Sequence, residues 1–232
     1  MSIKTRSLVF ATFFGSCIVV GLLVAALTTD YWVLSEAKRH TNGTITKEPA
    51  GKVNFGLFSG YKGLNIGYGV RPETINVMLF MQSEPDSMNY WLWLGAALGV
   101  GFGLLASAIA AIASVLKTAS ISKKRGTLIL LFISNVASAL SQILAFICWL
   151  VQFFQYLTHN VLTTADRETH WYSHGLASLG HSFYFLVVGI LFVFFNIGLL
   201  IAAVNMERRE RRKARHDDPA YDEKAQGAIM LY

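Results

Sequence analysis

Side chains able to do chemistry are few in this chain, and they fall into small groups. His170, His174 and His181 lie close together, and the four-residue step from His170 to His174 would set two imidazoles on one helical face, a spacing that metals use. Apart from Glu168, no cysteine or carboxylate stands beside them to complete a ligand set. The alternative is interfacial histidine mixed with Trp171 and Tyr172 in an aromatic belt, and on that reading zinc shows no stoichiometric binding. The sequence has no nucleotide loop, no nucleophile–base arrangement and no carboxylate pair placed for hydrolysis; its Gly-rich piece 99–103 lies in a run too apolar for phosphates. The expectation is a non-enzymatic protein with no cofactor and no metal.

Three further groups suit recognition. The one Asn-x-Ser/Thr sequon is Asn42-Gly43-Thr44, which makes Asn42 a glycosylation acceptor if it faces an oxidising compartment. Arg208, Arg209, Arg211, Arg212, Lys213 and Arg215 follow directly on an apolar run, interleaved with Glu207 and Glu210. Beside a membrane such a cluster attracts anionic lipid at about 1 kcal/mol per well-placed cation, and it serves equally as a solvated helical extension that anchors topology. The chain ends Met230-Leu231-Tyr232 after a polar stretch. Apolar residues at the terminus and two before it fit a PDZ groove, which adds the peptide as a strand and holds its carboxylate.

What must position these groups is read from composition. Of 232 residues, 53% are hydrophobic and 15% charged, against about 25% charged in an ordinary soluble domain. Mean hydropathy is +0.44. Four stretches, 7–29, 87–116, 126–165 and 169–206, contain no Asp, Glu, Lys or Arg, and each can hold one crossing of roughly 20 apolar residues. The expected fold is an all-α four-helix transmembrane bundle with spans 8–28, 91–116, 128–153 and 181–204. Around them lie an N-tail 1–7, a first outer loop 29–90, an inner loop 117–127, a second outer loop 154–180 and a C-tail 205–232. Thirteen Lys and Arg fall on the side of the tails and the inner loop, against seven in the longer outer loops. The positive-inside rule then makes both termini cytoplasmic and the sequon external. A soluble enzyme and a nucleic-acid-binding domain are excluded by the same composition.

Within the spans no Asp, Glu, Lys or Arg occurs, which argues against pumps and voltage sensors. Gly95, Gly99, Gly103, Ser107 and Ala111 repeat every four residues and form a small-residue ridge, for packing inside the bundle or for a homo-oligomer. Ser134, Asn135, Ser138, Ser141 and Gln142 suggest an inter-helix hydrogen-bond seam or, alternatively, a permeation path, with Asn196 as the natural partner. Cys17 and Cys148 both fall in spans, so no disulfide orders the outer loops.

The first outer loop offers strand-like pieces at 31–34, 53–58 and 75–81, the last from the alternation of Ile75, Val77, Leu79 and Met81. Gly60, Gly63, Asn65, Gly67 and Gly69 read as punctuation. A small antiparallel extracellular sheet standing on the bundle is the coarse picture. Trp32 just past the first span, Gly56-Leu57-Phe58 in the loop, and then Gly67, Gly69 and Arg71 in a Gly-x-Gly-x-Arg pattern resemble the claudin-like four-span superfamily. Within it they are most similar to clarins, of a divergent or invertebrate kind. The cysteine pair usual in such loops is missing; Tyr61 and Ile66 stand where it would be expected.

The resemblance implies a plasma-membrane protein of sensory or other specialised cells. Such a protein would organise membrane domains and link them through a PDZ scaffold to the actin cytoskeleton. Claudin-like adhesion or barrier formation and an auxiliary channel subunit are the alternatives.

Overall fold

The computed structural model describes residues 3–41, 44–45, 50–119 and 126–216. Asn42, Lys123 to Arg125 and the tail with Met230, Leu231 and Tyr232 lie outside them. Four long helices dominate: α1 (Ile3–Thr28), α3 (Tyr90–Thr118), α4 (Gly126–Gln152) and α6 (His181–His216). Each is long and apolar enough to cross a membrane. Helix α4 runs into a π-helical turn at Phe153–Leu157, and α6 continues as helix beyond the apolar run, through the arginine cluster. Two short helices, α2 (Val77–Ser83) and α5 (Thr164–Glu168), belong to the connections.

The bundle carries polar side chains within its apolar core and an apolar outer surface, where a water-soluble bundle would be polar outside. Thr12, Ser16, Ser138, Gln142 and Asn196 are buried, while Phe14, Phe102, Leu105, Leu140 and Phe195 are each more than half exposed on the outer faces. That distribution fits a multi-pass protein in lipid, where small and polar residues join helices. Helices α1 and α6 run antiparallel. The hydroxyls of Thr29 and Ser182 meet at 2.7 Å at one end, and Val9 packs with Leu200 and Ala203 at the other. Helices α3 and α4 form the second antiparallel pair, joined by Ser107 Oγ and Ser138 Oγ at 2.7 Å.

At one end stands a seven-stranded antiparallel sheet of order β2-β1-β3-β4-β5. Its strands are β1 (Val33–Thr41), β2 (Thr44–Ile45), β3 (Gly51–Phe55), β4 (Ser59–Asn65), β5 (Val70–Asn76), β6 (Trp171–Tyr172) and β7 (Ala177–Leu179). The last two come from the segment before α6 and pair with β1 at Lys38↔Tyr172 and Val33↔Leu179. The second connection thus contributes strands, where the sequence suggested a sheet from the first loop alone.

Two local expectations are corrected. The piece 75–81 is not a strand past Asn76, because the Asn76 side chain caps α2, accepting from the N–H groups of Met78 and Leu79. The buried residues there are Val77, Phe80 and Met81, a helical spacing rather than an alternation. Gly60 and Gly63 sit inside β4 and do not end it. A Cβ on Gly60 would lie 2.6 Å from the Asn54 carbonyl, and one on Gly63 2.9 Å from the Tyr61 hydroxyl. The turn is made instead by Gly67 and Gly69, at φ 105° and 113°, a region closed to most side chains.

Candidate functional site

Trp32, Gly56, Leu57 and Phe58 converge where the sheet meets the bundle. Trp32 is fully buried; its indole N–H donates to the Ala26 carbonyl at 2.6 Å, and its ring meets Trp149 of α4 edge-on at 4.9 Å. Gly56 lies against the end of α1, so that a Cβ there would stand 2.7 Å from the Thr29 carbonyl and 2.8 Å from Asp30 Cα. Leu57 is buried, and its carbonyl accepts the Trp93 indole N–H at 2.6 Å. Phe58, half exposed, sets its ring edge against Trp93 at 6.3 Å. The Gly-Leu-aromatic element therefore ties the sheet to α1 and α3 with a close backbone approach, a buried hydrogen bond and an aromatic contact. Gly67 and Gly69 act elsewhere. They shape the β4–β5 tip, where Tyr68 is 100% exposed between exposed Ile66 and Val70, and Arg71 is exposed on β5.

A polar clamp ties the two connections to each other. Lys62 of β4 donates to both carboxylate oxygens of Asp166, at 2.9 and 3.2 Å, and pairs with Glu73 of β5 at 3.0 Å. Asp166 also closes a reciprocal capping box with Thr163 at the start of α5. Glu84, after α2, accepts from the Thr164 amide at 2.6 Å and from the Thr164 hydroxyl at 2.8 Å, with Arg167 3.6 Å away. Burial pulls the Lys62 ammonium down, but its bonds and charge contacts with Asp166 and Glu73 outweigh that and hold its pKa above the ordinary 10.5. Order that a disulfide would otherwise supply comes here from buried charge-assisted bonds. Sequence reasoning missed this clamp; the Thr163-x-x-Asp166 spacing of a capping box was its one legible sign.

The three histidines do not converge. His181 stacks on Tyr31 at 4.7 Å, and His170 adopts a left-handed backbone at φ 69° with its carbonyl bonded to the His40 amide. His174 faces His159 at 5.4 Å, a neighbour the spacing did not suggest. Among the described residues no three His, Cys, Asp or Glu side chains group to hold a metal ion.

The small-residue ridge of α3 is filled by α4 of the same chain. A Cβ on Gly95 would meet Cys148 Sγ at 2.7 Å, one on Gly99 the Ser141 carbonyl at 2.7 Å, and one on Gly103 Gln142 Cγ at 2.9 Å. Ser107 continues that line through its bond to Ser138, and Ala111 is buried beyond it. Ser138 also donates to the Gly103 carbonyl, and Gln142 donates to Ser138. The seam therefore runs between α3 and α4, and Asn196, the partner expected for it, bonds elsewhere. Asn135 donates to Leu131 of its own helix, and Asn196 donates to Ser16 of α1 at 3.3 Å. The reason is steric: Asn196 fills the gap over Gly15, where a Cβ would lie 2.0 Å from its Oδ1.

At the end opposite the sheet, Asn205, Arg208, Arg209 and Arg212 line an open cleft of about 290 Å³ on α6. Lys213 is exposed nearby, and Arg211 and Arg215 lie on the same helix.

No family model matches this chain, and no curated protein matches it in sequence.

Proposed function

We propose that the chain is a non-enzymatic four-span plasma-membrane organiser of clarin-like, claudin-superfamily type. On this reading both termini are cytoplasmic, the sheet is extracellular, Asn42 is glycosylated, and the C-terminal Met230-Leu231-Tyr232 recruits a PDZ scaffold that connects the protein to cortical actin in sensory cells. The observation that carries it is the junction. Trp32 and Gly56-Leu57-Phe58, the first part of the clarin-like pattern, dock the sheet on the helices. Buried polar side chains and apolar outer faces support the bilayer setting. Burial of Asn135 and Asn196 against neighbouring helices favours a packing role over a permeation path. Filling of the α3 ridge by α4 favours packing inside the bundle over a homo-oligomer through that ridge.

The test uses the tail and the sequon together. A peptide of the last residues is expected to bind class II PDZ domains and to lose binding when its terminus is amidated, because the groove holds the carboxylate. Asn42→Gln is expected to remove a glycan-dependent mobility shift. Equal binding by the amidated peptide would sink the scaffold link, and an unshifted wild type would remove support for the external loop.

One observation favours a second reading. Tyr68, wholly exposed between Ile66 and Val70 on a glycine-shaped tip, presents the kind of aromatic anchor that interfaces use. Adhesion through this tip to a facing cell would be claudin-like.

A further inference from the structure

We propose that the arginine face of the α6 extension is a headgroup site for polyphosphorylated phosphoinositides in the leaflet at the tail end of the bundle. The proposal rests on the reading that the four helices cross a bilayer, and it names the lipid class that the basic cluster takes.

Charge along the extension is segregated, which the bare sequence of alternating Arg and Glu hides. Asn205, Arg208, Arg209 and Arg212 follow i, i+3, i+4, i+7 spacing and share one face around the cleft. Glu207 and Glu210 fall on the opposite face by the same geometry. Three guanidinium groups and a carboxamide therefore converge without an intervening carboxylate. Guanidinium is the side chain best matched to bidentate phosphate binding.

Depth separates the lipid classes. The apolar part of α6 ends at Val204. At 1.5 Å per residue, Arg208 and Arg209 stand about 6–8 Å beyond it and Arg212 about 12 Å. The headgroup layer of one leaflet is roughly 5–8 Å thick. The first pair thus meets the level of the glycerophosphate, and Arg212 reaches the level of groups projecting above it. A serine headgroup has one phosphate, at the first level, and beyond it a carboxylate offset by its own ammonium. An inositol bisphosphate places phosphate at both. Lys4 adds charge at the lower level: Val9 of α1 packs with Leu200 and Ala203, so exposed Lys4, five residues before Val9, stands near the height of Arg208 on the adjoining antiparallel helix.

The experiment is native mass spectrometry of the purified full chain released from micelles doped with phosphatidylinositol bisphosphate or phosphatidylserine. Membrane integration is checked first by resistance to alkaline carbonate extraction. Bisphosphate adducts are expected to dominate over serine-lipid adducts. Arg208→Gln with Arg212→Gln is expected to weaken bisphosphate binding about 30-fold, the worth of two interfacial cations. Arg211→Gln with Lys213→Gln removes the same charge and is expected to cost under about tenfold, since helix geometry sets both positions off the i, i+3, i+4, i+7 face. Equal loss in the two pairs, or equal adducts with the serine lipid, would overturn the site and leave only diffuse attraction. Binding that appears only after residues 217–232 are deleted would assign the face to the chain's own acidic stretch (Asp217, Asp218, Asp222, Glu223) and overturn it likewise. Extraction by carbonate would refute the membrane-spanning reading itself; an integral chain without bisphosphate preference refutes the headgroup site alone.

Discussion

Replacing Lys62 by Met should loosen the clamp that holds α5 against the sheet. Lys62 and Asp166 side chains are 10% and 14% exposed, so their bidentate contact is nearly desolvated, whereas Glu73 is 61% exposed and adds little. Orphaning a fully buried charge costs about 3–5 kcal/mol, and losing a hydrogen bond to a charged group about 1.5–3. Asp166 keeps its bonds from the Thr163 amide and hydroxyl, so it is not fully orphaned. That places the cost at about 2 kcal/mol, or roughly 30-fold in the local opening equilibrium. Hydrogen exchange across residues 163–172 reads that opening, and faster exchange should be confined to α5, β6 and their partners on β1. Glu73→Gln should change it under about fivefold. In a cycle with Asp166→Asn the coupling should be at least about 1.5 kcal/mol. Unchanged protection in Lys62→Met, or additivity in the double variant, would refute the reasoning.

Other outcomes follow from the same contacts. The Lys62 contribution has a sign in pH: its folded pKa is raised above 10.5, so the stabilisation is complete below that value and lost as pH rises through the folded value. Near-UV circular dichroism of the sheet should therefore lose no Lys62-dependent signal between about pH 7 and 9.5, and a Lys62-dependent loss in that window would contradict the raised value. Gly99→Leu drives a side chain into the Ser141 carbonyl and Ala145 and should lower the thermal midpoint in detergent by overpacking worth about 1–3 kcal/mol. Gly101→Leu, with nothing within 4 Å of its Cβ position, should leave the midpoint nearly unchanged. Trp93→Phe leaves the Leu57 carbonyl without its indole partner and should cost about 1–3 kcal/mol, read as faster exchange in β4 while α1 keeps its protection.

The parts legible in sequence were those set by composition over long windows. The four apolar runs place the helices because each exceeds the length of a crossing and holds no Asp, Glu, Lys or Arg. The junction was legible as a motif and not as a mechanism. Nothing in Gly56-Leu57-Phe58 says that the Leu57 carbonyl would meet Trp93, thirty-six residues on. The strand read at 75–81 failed because Val77, Phe80 and Met81 carry the burial while Leu79 happens to preserve an alternation; Asn76, as a cap, was the stronger local signal. Strands β6 and β7 span two and three residues, too short for a pattern, and exist through pairing with β1. The Lys62–Asp166 contact joins positions 104 residues apart, a distance no local rule reaches. Asn196 was assigned to the polar seam of the third span on polarity alone, while the rotation of each helix is set by where small residues such as Gly15 admit a bulky neighbour.

The organiser reading is tested most directly by localisation in mixed cultures of expressing and non-expressing cells, with the tag on the N-terminus so that Tyr232 stays free. Enrichment in the cortex or in actin-based projections whatever the neighbour, lost on deletion of residues 230–232, is the expected result. Enrichment only at borders where both cells express, unaffected by that deletion, would contradict it and give the lead to adhesion through the outer sheet.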